Sequence, residues 1–290
     1  MTVLALITTA RCADLTSLCV DSLKQYAPKV TRLILVNQMD RDLRRWLAET
    51  GEVYFVNDRA HGDGSDHAGA IEAVRASGTV EAYHPDLVVL IDNDCVILSP
   101  QWYSELVSAF DDPVVGGWGA EWVVDRSVLH ASMLAMRAVD FMHATTFRPW
   151  ASSATAGAYS PAKMRTGYRD TGGVACDELR AMGFRLVGLT RNSFAFDRDG
   201  WATYWAGVPS RPLWAHLGSG TFAVRPAWPR RWVRALKASA GHRMAKKAIA
   251  REQRRAAFLA WGRAWLGTPP RLREMIHGRP HEGKMVENHQ

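Results

Sequence analysis

The run Val88-Val89-Leu90-Ile91-Asp92-Asn93-Asp94-Cys95-Val96-Ile97-Leu98 is apolar except for two carboxylates at its centre with an amide between them. An unpaired carboxylate is costly to bury, so such groups stand at a solvent-facing end, pair with cations or hold a metal. Placed where a buried strand emerges, Asp92 and Asp94 make a hard-oxygen site for Mg²⁺ or Mn²⁺. Such a cation also takes ligands from phosphate and can neutralise the charge on a departing diphosphate. A solvated strand-end turn accounts for the same residues, because Asp and Asn are turn formers.

The elements that must position this pair follow from the periodicity. "TVLALIT", "RLILVN", "VYFV" and "DLVVLID" read as four strands. Amphipathic stretches separate them: Asp14 to Gln25 with Asp14 as N-cap, "DRDLRRWLAETG" stopped by Gly51, and "SDHAGAIEAVRASG" ended by Gly78. Strands alternating with helices predict a parallel sheet covered on both faces, whose ligands bind beyond the strands' carboxyl ends. Thr8-Thr9, Asn37-Gln38, Asn57-Asp58 and Asp92-Asn93-Asp94 all follow strand ends, which puts polar residues from four strands on one rim. Further on, "SPQWYSELVSAF" reads as a helix and "GGVACDELRAMGFRLVGL" as a helix closed by Gly183 and then a strand. "PWASSATAGAYSPAKMRTGYRD", small, polar and aperiodic, is expected to be a loop over a site.

Composition narrows the class. A chain of 290 residues with 47% hydrophobic and 22% charged residues is globular. Four scattered cysteines without a CxxC pair read as buried thiols in a reducing compartment. No signal-peptide pattern opens the sequence and no run reaches membrane-spanning length, so a cytoplasmic protein, or one peripheral at the membrane, is expected. The net charge of +7 divides unequally: residues 1–224 carry −5 and residues 225–290 carry +12. A mildly acidic body, 1–224, is therefore expected to carry a basic helical extension, 225–290, with a frayed end.

The order of a strand ending in "TTAR", a helix, a strand ending in Asn-Gln and then "LIDNDCVIL" resembles the GT-A glycosyltransferases, specifically the family-2-like enzymes. The resemblance spans about residues 2–222 and implies an α/β fold: a Rossmann-like, mixed sheet flanked by helices that binds a nucleotide-diphosphate sugar. It implies that Asp92 and Asp94 hold Mn²⁺ or Mg²⁺, with Asn93 between them at the donor, and that His216 in "WAHLGSGT" completes the metal site as an imidazole ligand. Thr8, Thr9 and Arg11 match the family's first nucleotide-contacting loop, and Asn37, Gln38 and Asp40 its second. Ser65, His67 and Gly69 resemble a Ser-x-His-Gly element with one Ala inserted, which places His67 at the donor. Asp170, just before a helix, corresponds to the base that deprotonates the acceptor in inverting transfer, although Arg169 stands where the family has Glu. An ordinary N-cap explains Asp170 as well, and Asp177 competes for the role.

Trp118, Trp122 and Trp150 could stack on a sugar or base, or pack in the core. Phe258, Trp261 and Trp265, at i, i+3 and i+7, give the basic extension one aromatic face. That face can pack on the catalytic body, or the helix can dock on an anionic membrane surface or on nucleic acid. The activity expected is metal-dependent sugar transfer to the hydroxyl of a glycan, a lipid-linked acceptor, a protein or a modified DNA base. A glycosyltransferase-like nucleic-acid binder is the alternative. A sugar-phosphate nucleotidyltransferase fits less well, because "ITTARCADL" has no glycine-rich phosphate loop.

Overall fold

In the computed structural model the described residues are 1–57, 65–121, 129–148, 171–191, 201–205, 212–217 and 241–268. Strands β1 (Val3–Ala10), β2 (Thr31–Gln38), β3 (Tyr54–Val56) and β4 (Leu87–Asp92) run parallel in the order β3-β2-β1-β4. Helices α1 (Ala13–Tyr26), α2 (Arg41–Thr50), α3 (Ser65–Ala76) and the single-turn α4 (Thr79–Ala82) connect them.

The twofold period of a strand divides the core. Val3, Ala5 and Ile7 of β1 join Cys19, Val20 and Leu23 of α1 and Leu43 of α2 on one face. Leu4 and Leu6 join Ile71 and Val74 of α3 on the other. Both faces of the sheet are thus covered, as the continuous apolar strands require.

Past β4 the sheet becomes mixed. β7 (Leu129–Arg137) inserts antiparallel between β4 and β6 (Val115–Glu121), and β6 pairs parallel with β8 (Arg185–Arg191). The seven strands β3-β2-β1-β4-β7-β6-β8 form the mixed sheet flanked by helices that the GT-A resemblance implies. Sequence periodicity did not reveal β7: "LHASMLAMR" has no β-branched residue and is rich in helix formers, so tertiary pairing decides its state. From β8 the sheet continues antiparallel through β9 (Ala202–Trp205) and β10 (Pro212–His216) to β5 (Cys95–Ile97), ten strands among the described residues. Helices α5 (Gln101–Ala109), α6 (Ala138–His143) and α7 (Gly173–Ala181) complete the body.

One local expectation changes, and one open alternative is decided. The N-cap of α1 is Cys12, not Asp14; the Asp14 carboxylate sits inside the first turn and accepts from the Leu15 N–H at 2.9 Å. Trp118 is core, 1% exposed, with its ring centroid 6.3 Å from Trp102 and 5.5 Å from Trp214. Trp122, Trp150 and the small, polar segment before residue 171 lie outside the described residues.

The basic extension provides α8 (Gly241–Gly267). Its aromatic face packs inward: Phe258 is fully buried among Cys12, Leu15, Leu18, Ala215 and Leu217, with Trp261 and Trp265 against the same cluster. Gly262 allows α8 to approach α1 closely, since a Cβ there would meet Leu18 Cδ2 at 2.7 Å. Among the described residues, no helix is long and apolar enough to cross a membrane.

Candidate functional site

The same twofold period that sorts the core sorts the rim. Thr8 continues the face of Leu4 and Leu6 and so meets α3, where its Oγ1 lies 2.9 Å from His67 Nε2. Thr9 turns to the other face and meets α1, with Oγ1 2.7 Å from Thr16 Oγ1. On the neighbouring β4, paired so that Thr8 stands opposite Asp92, the Asp92 side chain shares the face of Thr8. Its Oδ1 accepts from Thr8 Oγ1 at 3.2 Å and lies 3.3 Å from His67 Nε2.

Asn93 crosses to the α1 side, where its Nδ2 donates to Thr9 Oγ1 at 3.1 Å and to Thr16 Oγ1 at 3.2 Å. Thr16 in turn donates to the Cys12 carbonyl at 2.6 Å. This wholly buried network fixes the turn between β4 and β5, and buried polar networks of this kind specify one conformation when every member is satisfied. Asn93 is therefore a brace for the turn.

His216 reaches the turn through strand pairing. β10 runs antiparallel to β5 with His216 opposite Cys95, one residue from Asp94, and the Leu217 N–H donates to the Asp94 carbonyl at 3.0 Å. His216 Nε2 then lies 3.1 Å from Asp94 Oδ1 and 3.8 Å from Asp92 Oδ2. One imidazole nitrogen thus faces a carboxylate oxygen of each aspartate at the carboxyl ends of the parallel strands.

Among the described residues, the donor atoms that lie within 4.8 Å of one another are those of Asp94, Cys95 and His216; Asp92 stands beside this group, 3.8 Å from His216. The Cys95 thiol is a poor ligand. It is fully buried and donates to the Ser132 carbonyl at 3.2 Å. In the metal-free chain, burial first, then the charges of Asp94 and Asp92, push its pKa well above the usual thiol range. The effective donor set is therefore oxygen plus imidazole, which suits Mn²⁺ or Mg²⁺ rather than a thiolate-bound metal.

Around this centre, Arg11 holds a left-handed backbone at φ 50°, and its N–H donates to the Gln38 carbonyl at 3.0 Å, joining the ends of β1 and β2. The Arg11 side chain is exposed and Gln38 half-buried at the rim. Asn37 Oδ1 accepts from Asn57 Nδ2 at 3.2 Å. Asp40 is the N-cap of α2, accepting from the Leu43 N–H at 2.8 Å. Of the second-loop candidates, Gln38 thus stands most available at the rim, while Asp40 has a structural task. Asp170 and Gly218-Ser219-Gly220 lie outside the described residues, and Asp177 is a half-buried residue within α7.

The sequence did not single out His130, whose ring centroid is 6.0 Å from that of His216 and whose Nδ1 accepts from the Ser132 N–H at 3.0 Å. Its signal was hidden with the strand that carries it.

No protein-family model and no curated protein matches the chain. Among solved structures, a mannosyltransferase from Pyrobaculum calidifontis in complex with GDP-Man and Mn²⁺ is similar at 15% identity and TM-score 0.47, covering 95% of this chain and 79% of its own. Glucosyl-3-phosphoglycerate synthase from Mycobacterium tuberculosis, with Mn²⁺ and UDP-Glc, is similar at 14% identity and TM-score 0.40, covering 64% of this chain and 68% of its own. A cytidylyltransferase from Leptospira borgpetersenii is similar at 11% identity and TM-score 0.34, covering 49% of this chain and 62% of its own. Likenesses this distant do not decide the chemistry of the chain, for which the side chains at the rim are the guide.

Proposed function

We propose that this chain is a metal-dependent glycosyltransferase that moves a sugar from a nucleotide-diphosphate donor to an acceptor hydroxyl. The pairing of His216 with Asp94 at 3.1 Å, with Asp92 3.8 Å from the same imidazole nitrogen at the carboxyl rim of the sheet, carries the reading. A turn with no ligand would not need a histidine delivered from a distant strand onto its two carboxylates.

Asp94 Oδ1, Asp92 Oδ2 and His216 Nε2 would hold Mn²⁺ or Mg²⁺, which when bound neutralises charge on the diphosphate. Thr8 and His67 fix Asp92 Oδ1, leaving the other carboxylate oxygen toward His216. Arg11 and Gln38, side by side at the ends of β1 and β2, would contact the nucleotide. We assign Asp170, from its position ahead of α7, as the base that takes the acceptor proton, which makes transfer inverting.

The test is thermal stabilisation by GDP-Man and UDP-Glc with and without Mn²⁺, since a ligand bound only by the native state raises the melting temperature. Mn²⁺-dependent stabilisation by one of these donors is expected. Asp94→Ala and His216→Ala should abolish it while leaving the unliganded melting temperature within a few degrees. Wild-type protein that gains no stability from either donor in Mn²⁺ would refute the proposal.

A further inference from the structure

The C-terminal helix is fastened beside the metal residues. Arg255 of α8 pairs with Asp14 in the first turn of α1, its Nη2 2.5 Å from Asp14 Oδ2. Trp265 Nε1 donates to the Leu98 carbonyl at 3.1 Å, just past β5. Between these anchors Phe258 is packed with Ala215 and Leu217, the two neighbours of His216 in the chain.

Residues four apart share one face of a helix. Arg254 stands one turn before Phe258 and so projects from the face of α8 that meets the end of β10. Leu217 at that end is the residue whose N–H holds the Asp94 carbonyl. Arg254 is half-buried. Burial above all, and then Arg251, depress the Arg254 guanidinium's pKa, while the Asp94 carboxylate opposes them, so the two groups feel each other's charge. Cys12, under the same helix, packs in one cluster with Phe258, Ala215 and Leu217, which brings the start of α1, the end of β10 and α8 together.

Charge balance then indicates what Arg254 is for. Two carboxylates and one divalent cation cancel, so a diphosphate entering that site brings uncompensated negative charge. A guanidinium at its edge meets phosphate oxygens through paired, charge-assisted N–H donors. We propose that Arg254 binds the diphosphate of the donor, so that α8 is a wall of the site; this rests on the metal-dependent donor binding proposed above.

The experiment uses the full chain and two readouts: Mn²⁺ affinity by electron paramagnetic resonance, and the affinity for GDP and for UDP with Mn²⁺ saturating. Arg254→Gln should bind Mn²⁺ no more weakly than wild type, because a cation has been removed from beside Asp94. It should bind the nucleotide that wild type prefers about tenfold more weakly. Arg254→Lys, which keeps the charge without the paired donors, should recover part of that loss. Arg263→Gln removes the same charge from an exposed position on another face of α8 and should change neither readout. The inference is overturned if Arg254→Gln binds GDP and UDP as wild type does, or if it loses Mn²⁺ affinity in parallel. Wild-type protein with no Mn²⁺-dependent binding of GDP or UDP instead overturns the proposed function, and the role of Arg254 with it.

Discussion

Replacing His67 by Ala separates a residue that holds the metal from one that aims a ligand. His67 Nε2 is 3.3 Å from Asp92 Oδ1 and 2.9 Å from Thr8 Oγ1, whereas His216 Nε2 faces the opposite oxygen, Oδ2. In the proposed metal site His67 would therefore act through Asp92. Partners of this kind are worth about 10- to 100-fold in metal affinity. Thr8 still donates to the same oxygen at 3.2 Å, so the lower end applies: about tenfold, or about 1.4 kcal/mol. His67 is half-buried at the rim, and its loss should cost no more than about 1 kcal/mol of folding stability. Titration of Mn²⁺ followed by electron paramagnetic resonance measures the affinity, with the melting temperature as the control. Thr8→Val with His67→Ala should reach about 100-fold, and His67→Gln, whose amide can still donate, should recover part of the loss. Wild-type Mn²⁺ affinity in His67→Ala would refute the positioning role. A loss as large as that of Asp92→Ala would refute it from the other side, making His67 a ligand itself.

Two further outcomes are expected from strain and burial. Arg11 sits at φ 50°, where a side chain costs about 1 kcal/mol relative to glycine, so Arg11→Gly should be more stable than Arg11→Ala by about that amount in urea denaturation. Both should weaken Mn²⁺-dependent nucleotide binding alike, and an Ala variant as stable as the Gly variant would contradict the strain. Burial raises the Cys12 pKa to about 12 and that of Cys19 higher still. In the unfolded chain both thiols ionise near pH 8.5. The unfolded state therefore loses protons that the folded state keeps, and stability present below that pH falls by about 1.4 kcal/mol per pH unit for each thiol above it. Urea midpoints measured at rising alkaline pH should show this slope, and Cys19→Ala should make it shallower; an unchanged slope would be evidence against the buried thiol.

The first half of the fold was legible because its signals are local. Apolar strands end in polar pairs, and Gly51 at φ 66° closes α2. The carboxylate pair was legible for the same reason, since a charge in an apolar run is visible without any tertiary knowledge. What escaped depended on distant partners. β7 has the composition of a helix and becomes a strand only between β4 and β6, so His130 was hidden with it. Asp14 looks like a cap, but Arg255 draws its carboxylate into an ion pair from the far end of the chain. Arg254 had no signal at all, being one of many basic residues until Phe258 fixed which face turns inward.

The pairing of β5 with β10 has a consequence for biogenesis. Asp92 and Asp94 leave the ribosome early, on β-α-β units whose contacts are mostly near in sequence and hence quick to form. His216 and α8 emerge only after most of the chain has been made. A nascent or prematurely ended chain thus displays two carboxylates without their imidazole and cannot hold a cation with the full donor set. Under the proposed function, cation capture comes last and cannot template the early folding steps, and donor binding requires synthesis to have run through His216.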